Sequence, residues 1–302
     1  MYHQILLHRL LDCVNLVKNN SWEKDAFIVF LEEKAIVMLS WLTEVTYTNG
    51  DIPMVNDSAY NIAPQSKLLF QYAKEIGLIW DKIELNDSGY RMFSKETYEL
   101  FVDIGDIGPK YQPGHAHSDT FSFELYVKGK PIIVDPGIST YEKNELRLKE
   151  RSTESHNTIK IGNQQQTQVW DGFRVAKRAK IVDIKEQKEF VEATHDGYKN
   201  LNLLHTRKFY AEDSTIIIKD LLSKKIEKEQ IAFFHFHPDV KEIQISKDEA
   251  FLSYENIRIT FGEEVKKIEE KSYEYAFGFN MRKRAKKIKV YFNTTLSTTI
   301  NL

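Results

Sequence analysis

Hydrophobic positions in the first part of the chain follow the period of an α-helix. In residues 2–18 they recur at steps of three and four residues. They are Ile5, Leu6, Leu10, Cys13, Val14 and Val17. Residues 24–46 repeat the pattern with Phe27, Leu31, Ala35, Met38, Leu39 and Leu42. Such spacing is typical of amphipathic helices with one apolar face. A third helix is predicted from Pro64 to Ile76, because proline is tolerated in a first turn.

A polar loop joins the second and third predicted helices. It runs from Asn49 to Ser58, and its Asn49-Gly50 step and Pro53 are turn signals. We expect a loop at the ends of paired helices to lie where a helical barrel faces its ligand.

From about residue 88 the hydrophobic period changes from that of helices to that of strands. Residues 121–127 alternate, residues 128–130 form a turn and residues 131–134 are apolar, which predicts a hairpin. Further short runs are Thr158–Ile161, Arg207–Tyr210, Thr215–Lys219, Ile231–His237, Glu242–Ile245, Ile257–Phe261 and Ile288–Phe292. Such runs favour a large antiparallel β-sandwich. The predicted fold is therefore α+β, with a helical domain over residues 1–85 and a sandwich over residues 86–302.

Charge and composition narrow the possible partners. The chain of 302 residues has 42 basic and 44 acidic side chains, and this balance argues against a nucleic-acid footprint. We interpret the charged residues of 266–271 and 281–287 as solvated edges and turns rather than a groove for a polyanion. The single cysteine, Cys13, rules out an internal disulfide, and we expect it to be a buried small hydrophobe.

The sequence gives no sign of membrane insertion or export. No segment approaches the roughly 20 apolar residues that span a bilayer. Residues 1–4 lack the regions of a signal peptide, which predicts a cytoplasmic protein. If the natural N-terminus lies further upstream, a periplasmic or exported protein is the alternative.

A group of histidines and one aspartate lies at predicted strand ends. His115 and His117 are two residues apart, so an extended backbone places them on one side. Asp135 follows the next strand, and His156 precedes another. Two imidazoles and a carboxylate suit zinc. The alternative is separate histidines held by hydrogen bonds at strand ends, and the spacing alone leaves both interpretations open.

Other polar groups compete for these roles. His235 and His237, with Asp239 beside them, form a second pair, which we interpret as part of a packed strand end. His195 and His205 receive no role. A glycoside hydrolase needs two carboxylates across a cleft. Asp119 and Asp135 are the only suggestive pair near these histidines, and we expect Asp119 instead to accept hydrogen bonds from its own loop.

Long segments of the sequence resemble the heparinase II/III-like polysaccharide lyases. GHAHSDTFSFELYVKGKPIIVDPG (residues 114–137) and RSTESHNTIKIGNQQQ (residues 151–166) resemble the core of that family. Residues 38–64 are similar to the closing section of its (α/α) toroid, and residues 1–12 to the helix that bears its catalytic tyrosine. The resemblance covers most of residues 1–180.

The resemblance implies cleavage of a uronic-acid-containing glycan by β-elimination. On the family's pattern Tyr2 is the acid and, in some stereochemistries, also the base. His115 is the sandwich-side base or polariser, and Tyr141 lines the cleft. The implied ligands of one site-organising zinc ion are His117, Asp135 and His156. The implied partner is an acidic polysaccharide.

The resemblance also implies a long toroid ahead of Tyr2, which supplies the group that neutralises the substrate carboxylate. We therefore expect this polypeptide alone to be a weak catalyst or inactive. The alternative function is a catalytically inactive glycan-binding or assembly module that retains the zinc-bearing sandwich. The helices should expose an apolar face and favour self-association.

Overall fold

The computed structural model describes residues 1–20, 25–109, 111–262 and 264–302. It confirms the predicted α+β fold, in which helices precede a large set of antiparallel sheets. The helices are α1 (Tyr2–Lys18), α2 (Asp25–Val45), α3 (Ser66–Glu75) and α4 (Glu145–Glu150). Residue 24, at which the second helix was predicted to begin, lies outside the described residues. None of the described helices is long and apolar enough to cross a membrane.

The strands begin at Tyr90, so the predicted domain boundary at residue 85 falls in the segment between α3 and the first strand. In chain order they are β1 (Tyr90–Ser94), β2 (Tyr98–Asp103), β3 (Phe123–Val127), β4 (Lys130–Ile133), β5 (Ile159–Ile161), β6 (Gln168–Trp170), β7 (Arg174–Ala176), β8 (Ile181–Gln187), β9 (Phe190–His195), β10 (His205–Ala211), β11 (Thr215–Leu222), β12 (Gln230–His235), β13 (Ile243–Ile245), β14 (Glu249–Leu252), β15 (Ile257–Phe261), β16 (Val265–Gly278), β17 (Met281–Phe292) and β18 (Thr295–Asn301). Every segment predicted as a strand overlaps one of them.

Two layers of sheet enclose the main hydrophobic core. One layer is the sheet β13-β14-β15-β18-β11-β10-β9-β8. The other combines β1-β2-β3-β4 with β16-β17-β12-β5, which meet at a bridge between Ile133 and Phe236. Apolar side chains from all three sheets fill the space between the layers. The predicted hairpin is β3-β4, whose turn residues Lys128 and Gly129 both have positive φ, the geometry of a tight hairpin turn.

The buried face of α1 differs from the predicted one. Its buried positions include Leu7, Leu11 and Val14, whereas Leu6 is 61% exposed and Cys13 is exposed. The predicted burial of Cys13 is therefore wrong. The apolar stripe that packs on the rest of the protein starts at Leu7, so Cys13 lies beside that stripe rather than within it.

Helices α1 and α2 also expose large apolar side chains. They include Leu6, Leu16, Phe27, Phe30 and Val37, each more than 40% exposed. The inward face of α2 matches the prediction at Leu31, Ala35, Leu39 and Leu42. The expected exposed apolar residues are thus present on the helical part.

We predict that these residues cause self-association. Replacing Phe30 and Val37 by lysine puts charge on the exposed side of α2 and should lower the association constant, because apolar contacts between copies are lost. Sedimentation velocity over a range of concentrations measures this. The control is Ile79→Lys, since Ile79 is 84% exposed but lies after α3. A wild-type protein that is monomeric at every concentration would contradict the prediction.

Polar contacts fix the helical part on the sandwich. The buried carboxylate of Glu124 on β3 accepts hydrogen bonds from the Tyr47 hydroxyl at 2.9 Å and the Met54 backbone N–H at 2.8 Å. The rings of Tyr47 and Tyr126 stack with centroids 3.7 Å apart. The loop after α2 is therefore held against the strands rather than projecting into solvent, and it contributes to the site described below.

Gly137 allows the loop after β4 to pass close to β16. Its φ is +73°, and a Cβ there would lie 2.2 Å from the carbonyl oxygen of Ala276. We predict that Gly137→Ala lowers the free energy of unfolding by about 3 kcal/mol, through positive φ and steric overlap together. Gly50→Ala is the matched control, because Gly50 has a φ of +93° and a Cβ added there would meet no atom within 4 Å. Denaturant unfolding that gives equal losses for both variants would contradict the steric part of the prediction.

Candidate active site

Asp57, in the loop after α2, is the centre of a polar network between the helices and the sandwich. Its side chain is fully buried. The carboxylate contacts His115 Nδ1 at 2.7 Å and His117 Nε2 at 3.0 Å. Both terminal nitrogens of Arg147 also donate to it, at 3.0 and 2.8 Å. One carboxylate therefore fixes two histidines and a guanidinium.

Local structure orients the groups around Asp57. The neighbouring Asn56 has a φ of +56°, and its side-chain oxygen accepts a hydrogen bond from the His117 backbone N–H at 3.1 Å. Asn144 caps α4 by accepting from the Arg147 N–H at 3.0 Å, a common way to satisfy the first turn. The Arg147 guanidinium lies 4.3 Å from the ring centroid of Phe173. Arg147 thus reaches Asp57 from a short, capped helix.

The network sets the charge of its members. Burial alone would raise the pKa of Asp57, but hydrogen bonds from His117 and Arg147 outweigh it and hold that pKa well below its usual range. Burial lowers the pKa of His117 to about 4, although Asp57 opposes the shift. Near neutral pH the centre therefore contains an ionised Asp57 and a neutral His117.

Tyr2, His115 and Tyr141 come together beside this network. The hydroxyls of Tyr2 and Tyr141 are 2.7 Å apart, and the rings of Tyr2 and His115 have centroids 4.7 Å apart. His115 and Tyr2 both line a cavity of about 180 Å³ between the helices and the sandwich. The side chain of His115 is 40% exposed and Tyr2 is 45% exposed. A ligand in this cavity would reach both residues.

The predicted metal ligands lie deeper. The rings of His117 and His156 have centroids 5.3 Å apart. His117 Nδ1 and His156 Nε2 are buried and have no hydrogen-bond partner, which is unusual for buried polar atoms. Asp135 lies within 2.7 Å of His156 Nδ1, and its other oxygen accepts from the Gly137 N–H. In the described ranges, no group of three or more His, Cys, Asp or Glu has the arrangement of a metal site.

The carboxylate of Asp119 is buried. It accepts a hydrogen bond from the backbone N–H of its own residue, in line with the hydrogen bonds predicted from its loop, while its Oδ2 has no hydrogen-bond partner. Burial raises its pKa to about 6. Asp119 and Asp135 are 2% and 1% exposed, so neither carboxylate is presented to solvent as a hydrolase pair across a cleft would be.

Four further histidines of the sandwich, His195, His205, His235 and His237, make hydrogen bonds or ion pairs away from the cavity. His235 is buried, and its Nδ1 lies 3.1 Å from the side-chain oxygen of Asn157, while His237 Nδ1 is 3.4 Å from Asp239. His195 and His205, which were given no role, lie 3.0 Å apart inside the sandwich. Their neighbour Asp220 accepts from His205 and Arg207. None of these groups lines the cavity beside Tyr2.

Family comparison adds to this geometry. Residues 80–301 match the model of the heparinase II/III-like C-terminal family. The chain belongs to this family. The resemblance of residues 114–137 and 151–166 to the heparinase II/III-like family is therefore confirmed. Comparison with curated proteins finds no match.

Solved structures show how far the likeness extends. A heparan sulfate lyase from Pedobacter heparinus matches with a TM-score of 0.74 and 15% identity, over 99% of this chain and 51% of that one. One heparinase III structure matches with a TM-score of 0.74 and 14% identity, over 99% of this chain and 51% of that one. A second heparinase III structure matches with a TM-score of 0.70 and 17% identity, over 100% of this chain and 53% of that one. Identities this low show a shared fold. The chain spans about half the length of these heparinase-like structures.

Sequence reasoning missed two members of the site, Asp57 and Arg147. Asp57 is 58 residues from His115 and 90 residues from Arg147, so no local spacing connects them. The only signal was the polar loop of residues 49–58, which was expected to face a ligand. Arg147 lies in a charged stretch that gives no sign of its burial.

Proposed function

We propose that this heparinase-like chain carries part of an active site that cleaves a uronic-acid-containing polysaccharide by β-elimination. The observation that supports this most is the pairing of Tyr2 with His115 at the same cavity, with ring centroids 4.7 Å apart. In β-elimination a base removes the proton beside the sugar carboxylate. An acid then protonates the glycosidic oxygen as the carbon–oxygen bond breaks.

His115 is suited to act as the base. Its Nδ1 lies 2.7 Å from the ionised carboxylate of Asp57, which holds the proton on that nitrogen. Nε2 is then the nitrogen that accepts a proton from a substrate. Arg147 offsets the charge of Asp57 from the buried side. The arrangement fixes both the tautomer and the ring orientation.

Tyr2 is suited to act as the acid. Its hydroxyl lies 2.7 Å from that of Tyr141, so Tyr141 positions the phenol at the mouth of the cavity. Burial and the contact with Tyr2 raise the pKa of Tyr141 well above its usual value, which keeps Tyr141 neutral. We propose that Tyr141 lines the substrate cleft and orients Tyr2 without itself transferring a proton.

We also propose that a zinc ion binds beside the cleft. The partnerless nitrogens of His117 and His156 are imidazole nitrogens, a ligand type that zinc prefers. Asp135 is the proposed third ligand. In the structure its carboxylate contacts His156 Nδ1 at 2.7 Å, on the other side of the ring from Nε2, so it would have to turn from that nitrogen to join an ion held by Nε2. Zinc would supply positive charge that organises the loops on which His115 lies. His117 would connect it to Asp57.

Zinc content tests this part of the proposal without any substrate. We predict about one zinc per chain in the wild type, and its loss in His117→Ala, because two imidazoles are needed to hold the ion. Elemental analysis of purified protein measures the ratio. His8→Ala on α1 is the control, since His8 lies outside the site. Wild-type protein free of zinc after refolding with the metal would remove the assignment.

The elimination itself is tested by product formation. Wild-type protein is incubated with a panel of uronic-acid polysaccharides, and ultraviolet absorbance reports the unsaturated product. Tyr2→Phe should abolish the product while glycan binding persists. Because the chain spans only about half of its structural relatives, a glycan-binding module is the second candidate. That candidate predicts binding without product in the wild type and no change in binding for Tyr2→Phe.

A further inference from the structure

One face of the sheet β16-β17-β12-β5 points away from the core. Ile288 and Val290 on β17 pack inside the sandwich. Because side chains alternate along a strand, Lys287, which precedes Ile288, and Lys289, which lies between the two, point outward. The same alternation applies to the neighbouring strands. The outward lysines, which we call the lysine face, are Lys160, Lys267, Lys271, Lys287 and Lys289.

Lysines of this face lie over an outward-pointing aromatic ring. Phe233 on β12 is 2% exposed although it is absent from the main core cluster. The ammonium nitrogens of Lys287 and Lys289 lie 5.2 and 5.8 Å from its ring centroid. Their aliphatic stems cover the ring. The Lys287 ammonium donates to the Glu154 carbonyl oxygen at 3.1 Å and lies 3.2 Å from His235 Nε2, so it is the more enclosed of the two cations. Packing of this kind holds two cations side by side.

The positive charge of the lysine face is only partly balanced. Glu269 pairs with Lys267 and Lys271, and Glu154 pairs with Lys160. Within the part of the chain that the structure describes, Lys287 and Lys289 form no ion pair with a carboxylate.

Strand register adds a further repulsion. Lys271 stands directly opposite Lys287, and like charges at opposite positions destabilise a sheet. Burial, followed by repulsion from Lys289, lowers the pKa of Lys287 to about 8. The sheet therefore keeps an unfavourable concentration of positive charge, which a bound anion would relieve.

We propose that the lysine face binds an extended acidic polysaccharide as a second surface, separate from the cavity lined by Tyr2 and His115. Neighbouring outward positions on a strand are about 7 Å apart, and adjacent strands are about 5 Å apart. The lysine positions are thus regularly spaced along the strands, with Glu269 between Lys267 and Lys271. The net positive charge of this face suits a linear polyanion with repeated carboxylates or sulfates. The choice of this ligand rests on the proposed lyase function. Its role is to hold the substrate chain.

The test measures binding rather than catalysis. A fluorescently labelled heparin oligosaccharide serves as probe, and all variants carry His115→Ala so that the probe stays intact. The triple variant Lys271→Gln, Lys287→Gln and Lys289→Gln should weaken binding by about tenfold or more, since each lost contact contributes modestly. Raising the salt concentration should reduce the difference, because exposed charges are screened.

A matched triple on the opposite layer controls for net charge. Lys185, Lys208 and Lys219 also lie on strands. Lys185 and Lys208 pair with Glu192 and Lys219 lies over Tyr210. Their replacement by glutamine should change heparin affinity by less than about threefold. The double variant Lys271→Gln and Lys289→Gln leaves the half-buried Lys287 in place and guards against misfolding of the triple.

Three outcomes would overturn the proposal. The first is unchanged heparin affinity in the double and triple variants of the lysine face. The second is an equal loss of heparin affinity in the lysine-face triple and the control triple. The third is a lysine-face triple that binds phosphatidylglycerol vesicles more weakly than the wild type but binds heparin equally well. The last would instead make the lysine face a membrane-binding surface. Absence of unsaturated product in the wild type would favour a glycan-binding module over elimination by this chain alone, and it would leave this binding result interpretable.

Discussion

Replacing Asp57 by alanine is expected to lower the free energy of unfolding by about 3–5 kcal/mol, because it leaves the Arg147 guanidinium buried without its partner. Both groups are fully buried and joined by two hydrogen bonds. The same change frees the rings of His115 and His117, so elimination activity should be lost as well. Denaturant unfolding measures the first effect and product formation the second.

The stabilising contribution of Asp57 also depends on pH in a defined direction. Its pKa in the folded protein lies below the ordinary value of 3.8, so the folded state binds fewer protons than the unfolded state in acid. The contribution is therefore fully present above that ordinary value and is lost as the pH falls through the folded-state pKa. The Asp57 variant should show a correspondingly weaker fall of stability in acid.

Asp220 provides the matched control for Asp57. It too is buried and accepts hydrogen bonds from a histidine and an arginine, His205 and Arg207. Asp220→Ala should cost a similar amount of stability but leave the cavity beside Tyr2 unchanged. Asp57→Asn and Asp220→Asn preserve side-chain volume if the alanine variants fail to fold. Equal effects of the two asparagine variants on elimination would contradict a specific role for Asp57.

The sequence predicted the fold where its hydrophobic pattern was strong. The buried strand β3 and its tight turn were found because apolar residues alternate there. In contrast, β8 was missed, since all but one of its residues are exposed and charged side chains interrupt the pattern. The face of α1 was displaced by one position, because Leu6 and Leu7 are both apolar and the sequence does not say which one packs inward.

The site was predictable only where its members are close in sequence. His115 and His117 were grouped by spacing, and the structure places their side chains on one carboxylate. That carboxylate, Asp57, comes from the helical part, and its contact depends on how the loop after α2 docks on the sandwich. Such a contact is a property of tertiary packing, so local patterns do not reveal it. The roles of these residues in chemistry stay predictions.

Replacing His115 by alanine is expected to lower the elimination rate by about 10²–10⁴-fold, the usual contribution of a positioned general base. The physical reason is that Nδ1 bonds to Asp57, which leaves Nε2 to accept the substrate proton. Binding of the glycan should change much less, because Tyr2 and the remaining cavity walls are retained. Ultraviolet absorbance of the unsaturated product gives the rate, and fluorescence anisotropy gives the affinity.

Two comparisons make this result specific to His115. His8→Ala removes a histidine on α1 outside the cavity and should leave the rate unchanged. His115→Gln retains a hydrogen bond to Asp57 but supplies no proton acceptor at the Nε2 position, so it should be as inactive as alanine. If glutamine restored most of the rate, His115 would act by polarising the substrate and not as the base. If both variants retained wild-type rates, the proton would be removed by another group, and Tyr2, whose ring is 4.7 Å away, would be the first to examine.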